Sequence, residues 1–134
     1  MTVRGEFTVA AWNEENLSSF PADMPVAKAS IVFEATGEVS GRLTVEYLLQ
    51  YSVQDTVNPH NSQATYTGYM FLDGSIGGRT GTVVIEDRGS YTQTGPASVL
   101  RIKPGTGTGE LAGVTGTGQY GMNDGKMIIE FDLD

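Results

Sequence analysis

Two kinds of side chain in this sequence could move a proton, and both sit where strand alternation would carry them inward. Val83, Ile85 and Asp87 repeat at a period of two, so the carboxyl of Asp87 shares a face with two apolar neighbours. Tyr47 and Tyr51 lie on the apolar face of Leu43, Val45, Tyr47, Leu49, Tyr51 and Val53, with Arg42, Thr44, Glu46 and Gln50 on the other. A carboxyl taken into apolar surroundings loses hydration and its pKa rises. Beside a phenol it could orient a carbonyl and transfer a proton. The plainer reading of the same residues is that the tyrosines fill a core with their hydroxyls at its rim, and that Asp87 caps a turn at Gly89. Glu46 is expected on the outside, facing water or another subunit, unless a bulge reverses the strand.

Other chemistries find little material. Cysteine is absent and His60 is the one histidine, which removes thiolate chemistry and metal sites of the multi-histidine or cysteine type. His60 lies in Asn58-Pro59-His60-Asn61, a loop composition, with no acid or nucleophile beside it, and no serine sits in a nucleophile-elbow context. Gly116-Thr117-Gly118-Gln119-Tyr120-Gly121 matches the dinucleotide fingerprint in letters. That motif works only when a helix follows to receive a pyrophosphate, and here a hairpin turn follows. Gly125-Lys126 is followed by Met127 where a phosphate loop needs Ser or Thr. Sixteen acidic against eight scattered basic residues give a net charge of −8, so a nucleic acid is not an expected partner. No N-terminal apolar run resembles a signal peptide or a membrane span, and a cytoplasmic location is the expectation.

The elements that must position these residues read as strands throughout. Met127, Ile129, Phe131 and Leu133 alternate with Ile128, Glu130, Asp132 and Asp134 after the hairpin residues Asn123-Asp124-Gly125. Thr2 to Trp12 is a first strand, with Phe7, Val9 and Ala11 on its apolar face. Asn13 to Pro25 reads as a polar flap with a turn of helix. Val26–Thr36 and Val39–Val53 form a hairpin around Gly37-Glu38, and Gln54–Ser62 a loop. A fourth strand, Gln63–Leu72, turns at Asp73-Gly74 into a fifth, Arg79–Asp87. A sixth begins at Arg88–Gln93 and resumes at Ser98–Lys103 after Thr94-Gly95-Pro96. The glycine-rich Gly105–Gly118 leads to a seventh strand ending at Met122, and the last strand makes eight. Eight antiparallel strands fit a sandwich or a closed barrel. The barrel is favoured because nearly every strand has one apolar face, no long helix could cover an open sheet, and closure removes edges. The expectation is one all-β domain over residues 1–134, an eight-stranded antiparallel closed β-barrel whose interior could hold one small ligand.

Several segments in order, Gly5-Glu6-Phe7-Thr8-Val9 with Trp12, Gly41 to Tyr51, Gly78-Arg79-Thr80-Gly81 and above all Gly107 to Gly116 (GTGELAGVTG), resemble a bacterial family of small proteins of unknown function. Members of that family look like allene oxide cyclase in fold. The resemblance implies an allene-oxide-cyclase-like, calycin-like barrel, oligomeric, with an internal cavity and no cofactor. Where the family carries an acidic-basic pair in the fourth strand this chain has Met70 and Phe71, and where it has a histidine at the end of the fifth it has Asp87. On this footing the expected function is a cofactor-independent cyclase or isomerase acting on a hydrophobic small molecule. Phe7, Phe33, Tyr47, Tyr66, Met70, Leu100, Tyr120 and Phe131 would shape the cavity, and Tyr51 and Asp87 would handle the proton. The alternative is a non-catalytic binding or carrier protein for a lipophilic molecule. Assembly as a homo-oligomer is expected in either case.

Overall fold

A computed structural model describes residues 1–134. Strands β1 (Thr2–Asn16), β2 (Val26–Gly37), β3 (Val39–Val53), β4 (Gln63–Ile76), β5 (Arg79–Thr92), β6 (Gly95–Ile102), β7 (Gly116–Asn123) and β8 (Lys126–Leu133) pair antiparallel in chain order. The ring shuts where Thr2–Phe7 of β1 pairs with Met127–Asp132 of β8. The expected eight-stranded closed barrel is therefore what forms, and no helix is long and apolar enough to cross a membrane.

The two ends of the barrel differ. At one end Val3, Val39, Ile76 and Val83 are buried, and the glycine-rich segment folds back beneath them with a single 3-10 turn at Gly109–Leu111. Leu111 and Val114 plug the barrel from below, and the Arg79 guanidinium holds the plug by donating to the carbonyl oxygens of Glu110 and Ala112. Gly116 to Gly121 is the strand β7, so the dinucleotide-like letters belong to sheet. The other end is rimmed by the end of β1, the Gln54–Ser62 connection with its 3-10 turn at Pro59–Asn61, and the β5–β6 hairpin.

The strands depart from the sequence reading in five places. β1 continues to Asn16 where a helical flap was expected, and Asn13–Asn16 pair with Ala27–Ser30 of β2. A bulge between Val9 and Ala11 flips the alternation, so Ala11 leaves the inner face, while Trp12 and Glu14 turn toward the barrel mouth. A second bulge between Tyr51 and Val53 likewise exposes Val53. Asp73-Gly74 does not turn: both pair across the sheet, and the chain reverses at Gly77-Gly78, whose φ values of 59° and 80° suit a tight hairpin. Arg88–Thr92 continues β5 and does not start β6, so Asp87 lies mid-strand and caps nothing at Gly89.

Candidate acid–base site in an aromatic cup

The pairing register explains how a carboxylate comes to lie among phenols. Tyr47 of β3 pairs with Gly68 of β4, and Gly68 pairs with Asp87 of β5. Gly68 occupies an inward position between the buried Tyr66 and Met70, so the row Tyr47–Gly68–Asp87 has a gap at its centre. Tyr47 reaches across that gap and donates its hydroxyl to Asp87 Oδ2. The strands are so close there that a Cβ on Gly68 would run into the backbone carbonyl of Glu46. One step toward the mouth the device repeats. Tyr66 pairs with Gly89, Gly89 pairs with Ser98, and the Tyr66 hydroxyl lies 2.5 Å from Ser98 Oγ. A Cβ on Gly89 would come within 2.8 Å of that hydroxyl.

Tyr120 of β7 joins the two rows, with its hydroxyl 2.6 Å from that of Tyr47 and 3.3 Å from that of Tyr66. Every member of this chain, Ser98, Tyr66, Tyr120, Tyr47 and Asp87, is buried. With Asp87 ionised the donors line up: Tyr47 gives its proton to Asp87, and Tyr120 gives its own to Tyr47. Asp87 Oδ1 has no partner at all. Burial pushes the Asp87 pKa up to about 6, against the pull of the Tyr47 hydroxyl and, more weakly, that of Ser98. Burial also drives Tyr47 and Tyr120 far above the ordinary phenol range, helped by the negative charge of Asp87, and raises Tyr66. A lasting tyrosinate is thus excluded at neutral pH.

Above the network lies a cavity of about 520 Å³ that opens at the rim. Tyr47, Tyr66 and Tyr120 form its floor, Phe33, Leu49, Tyr51, Ala64 and Tyr91 its walls, and Trp12, Glu14, Asp55, Pro59, Pro96 and Met127 lie around it toward the opening. Of the residues expected to shape a cavity, Phe33, Tyr47, Tyr66 and Tyr120 border it. Phe7 sits just behind, its ring 4.7 Å from Phe33 and 5.3 Å from Tyr120 between centroids. Met70, Leu100 and Phe131 do not border it. They are buried in the hydrophobic core cluster below it. The two residues assigned the proton chemistry, Tyr51 and Asp87, lie apart. Tyr51 stands in the upper wall and donates to Glu14 Oε2 at 2.5 Å, with burial and then Glu14 raising its pKa, whereas the phenol bonded to Asp87 is Tyr47. Asp87 itself lies beneath the floor, separated from the cavity by Tyr47. Glu46 points outward and accepts from Ser30.

Sequence reasoning missed Trp12, Glu14, Tyr91 and Ser98. The β1 bulge hides the first two. Tyr91 was legible, since it continues the Val83-Ile85-Asp87 alternation once β5 is allowed to run past Arg88.

A family model described as "Protein of unknown function (DUF3224)" matches residues 3–133. Among solved structures, a crystal structure of a DUF3224-family protein of unknown function from Shewanella oneidensis MR-1 superposes with a TM-score of 0.79 at 24% identity, covering 100% of this chain and 96% of that one. No match is found among the curated proteins.

Proposed function

We propose that this chain, which belongs to the DUF3224 family, is a proton-shifting isomerase or cyclase that folds a hydrophobic small molecule in its barrel cavity and uses side chains alone for acid–base chemistry. The observation that carries this reading is the buried relay Tyr120–Tyr47–Asp87, which runs from the floor of the aromatic cup to the carboxyl beneath it. In the proposed step a substrate proton passes to the Tyr47 oxygen as the Tyr47 proton passes to Asp87. The pair then returns a proton to another atom of the same molecule, so the product is an isomer and the relay is restored. Asp87, with a pKa pushed up to about 6, is matched to this task near neutral pH. Aromatic walls would hold a flexible substrate in one folded shape, a contribution that reaches about 7–11 kcal/mol in favourable systems. The likeness to allene-oxide-cyclase-like and calycin-like barrels is part of the same proposal.

A carrier for a lipophilic molecule is the second reading, favoured by the position of Asp87 behind Tyr47, which leaves only hydroxyls at the floor to touch a ligand. The two separate in D₂O with a bicyclic β,γ-unsaturated ketone as the probe. The isomerase reading expects protein-dependent double-bond migration with deuterium uptake, reduced about 100-fold or more in Asp87→Asn and Tyr47→Phe. Probe that binds and is recovered unlabelled at the uncatalysed rate leaves the carrier. Self-association is proposed through the outward apolar side chains Leu48, Tyr69, Phe71 and Val99, and light scattering on the purified protein tests it.

A further inference from the structure

The cavity is one-sided in charge as well as aromatic. Glu14 and Asp55 are at its opening, Asp87 lies under its floor, and no Lys, Arg or His borders it. The Glu14 carboxylate is held in place from both sides, by Tyr51 at 2.5 Å and by the Trp12 indole N–H at 3.2 Å. Asp55 accepts from the backbone N–H groups of Val57 and Asn58, and these bonds hold its pKa below the ordinary carboxylate value. All eight basic side chains lie away from the cavity, and several are engaged elsewhere: Arg4 with Glu130, Arg101 and Lys103 with Glu86, Lys126 with Glu6, and Arg79 with the lower plug. Asp87 combines a near-absence of solvent contact, 2% exposure, with an unpartnered Oδ1 and no cation beside it.

We propose that the ligand of this cavity is a lipophilic cation, an ammonium carried on an apolar body, and that carboxylate-bearing molecules are excluded. The inference rests on the cavity-binding reading above and adds the charge of what binds. An ammonium entering the cup meets Trp12, Tyr51 and Tyr91, aromatic rings of the kind that attract cations, and carboxylates with no competing base. A carboxylate meets three like charges, in a site where apolar walls reduce screening. Apolar body and cationic head are both accommodated, the body against Phe33 and Leu49 and the head at the Glu14 side of the mouth.

Three naphthalene probes of matched size test this by calorimetric titration at neutral pH and low salt: 2-(1-naphthyl)ethylammonium, 2-(1-naphthyl)ethanol and 1-naphthylacetate. The expected order is ammonium tighter than alcohol by roughly tenfold, with naphthylacetate not binding. Glu14→Gln should reduce the ammonium preference severalfold and leave the alcohol unchanged. Glu38→Gln, the same charge change at the closed end of the barrel, should alter neither, which separates the site from the net charge of −8. Naphthylacetate binding as tightly as the ammonium, or ammonium and alcohol binding equally, overturns the cation inference and leaves the cavity reading standing. Failure of all three to bind folded protein overturns both.

Discussion

Replacing Asp87 by Asn should leave this protein at least as stable at pH 8, although Asp87 ends a buried chain of hydrogen-bonded hydroxyls. Folding moves the carboxyl from water into the row between Tyr47 and Leu100, and its pKa rises from an ordinary 3.8 to about 6. The groups that face it are the hydroxyls of Tyr47, Tyr120, Tyr66 and Ser98, none of them charged at neutral pH. A folded-state pKa above the unfolded value means that the folded chain binds the proton more tightly. Stability from this group is complete below about pH 3.8, falls as pH rises, and is lost above about pH 6. At about 1.4 kcal/mol per pH unit, the ionised group costs the native state about 3 kcal/mol at pH 8 relative to acid.

Asparagine keeps the acceptor for Tyr47 and removes the charge. Its amide N–H₂ takes the position of the unpartnered Oδ1, which costs about 1–3 kcal/mol at every pH. The absolute gain at pH 8 is therefore smaller than the pH effect, and the decisive quantity is the gap between the two proteins as pH varies. Urea denaturation of both at half-unit steps from pH 3.5 to 8, followed by circular dichroism, should show the variant gaining about 3 kcal/mol on the wild type, most of it between pH 4 and 6.5. Titrations common to the two proteins cancel in the difference. A gap constant with pH would refute the claim that burial dominates this carboxyl. So would a wild type that gains on the variant as pH rises, which would mean that the carboxylate is compensated in the folded state.

Tyr47→Phe removes the hydroxyl that donates to Asp87 Oδ2, so the carboxyl should titrate above 6, as read from its ¹³C shift in labelled protein. Gly68→Ala drives a Cβ into the Glu46 carbonyl and should lower stability by about 1–3 kcal/mol in denaturant melts while separating Tyr47 from Asp87. Leu111→Ala opens the lower plug and should cost about 2–5 kcal/mol, with the affinity of the ammonium probe unchanged because the cavity lies at the other end.

The ring of strands was legible because each strand carries its own evidence: alternation over Leu43–Tyr51 or Met127–Leu133 can be read without knowing what lies beside it. Bulges cannot be read that way. Nothing in Val9-Ala10-Ala11-Trp12 announces that the inner face changes between Val9 and Trp12, since all four side chains are apolar enough for either side. The flip is decided by pairing with β2, and with it the choice of Ala11 or of Trp12 and Glu14 as mouth residues. The absence of a helix from Asn13 to Pro25 has the same origin, for a polar strand end such as Asn13–Asn16 is held by its partner Ala27–Ser30 and by little of its own.

The acid–base network depends on a still more distant choice. An antiparallel pair is fixed by the centre of its turn, so a reversal centred on Gly77-Gly78 sets Gly68 opposite Asp87. Had the chain turned at Asp73-Gly74, as the composition invites, Gly68 would have faced Arg79, and Tyr47 would have had no carboxyl two strands away. Both dipeptides could supply the two consecutive positive φ angles of a two-residue hairpin, as Asp124-Gly125 does with 52° and 76°, but Gly77-Gly78 supplies them with no Cβ at either position and so at the lower steric cost. Asp73-Gly74 is left to serve as strand, with Gly74 packed against Gly41 on one side and Gly81 on the other. The position of the candidate site is therefore encoded in the sequence, at a glycine pair ten residues from Asp87, and becomes readable only when turn chemistry is allowed to overrule composition.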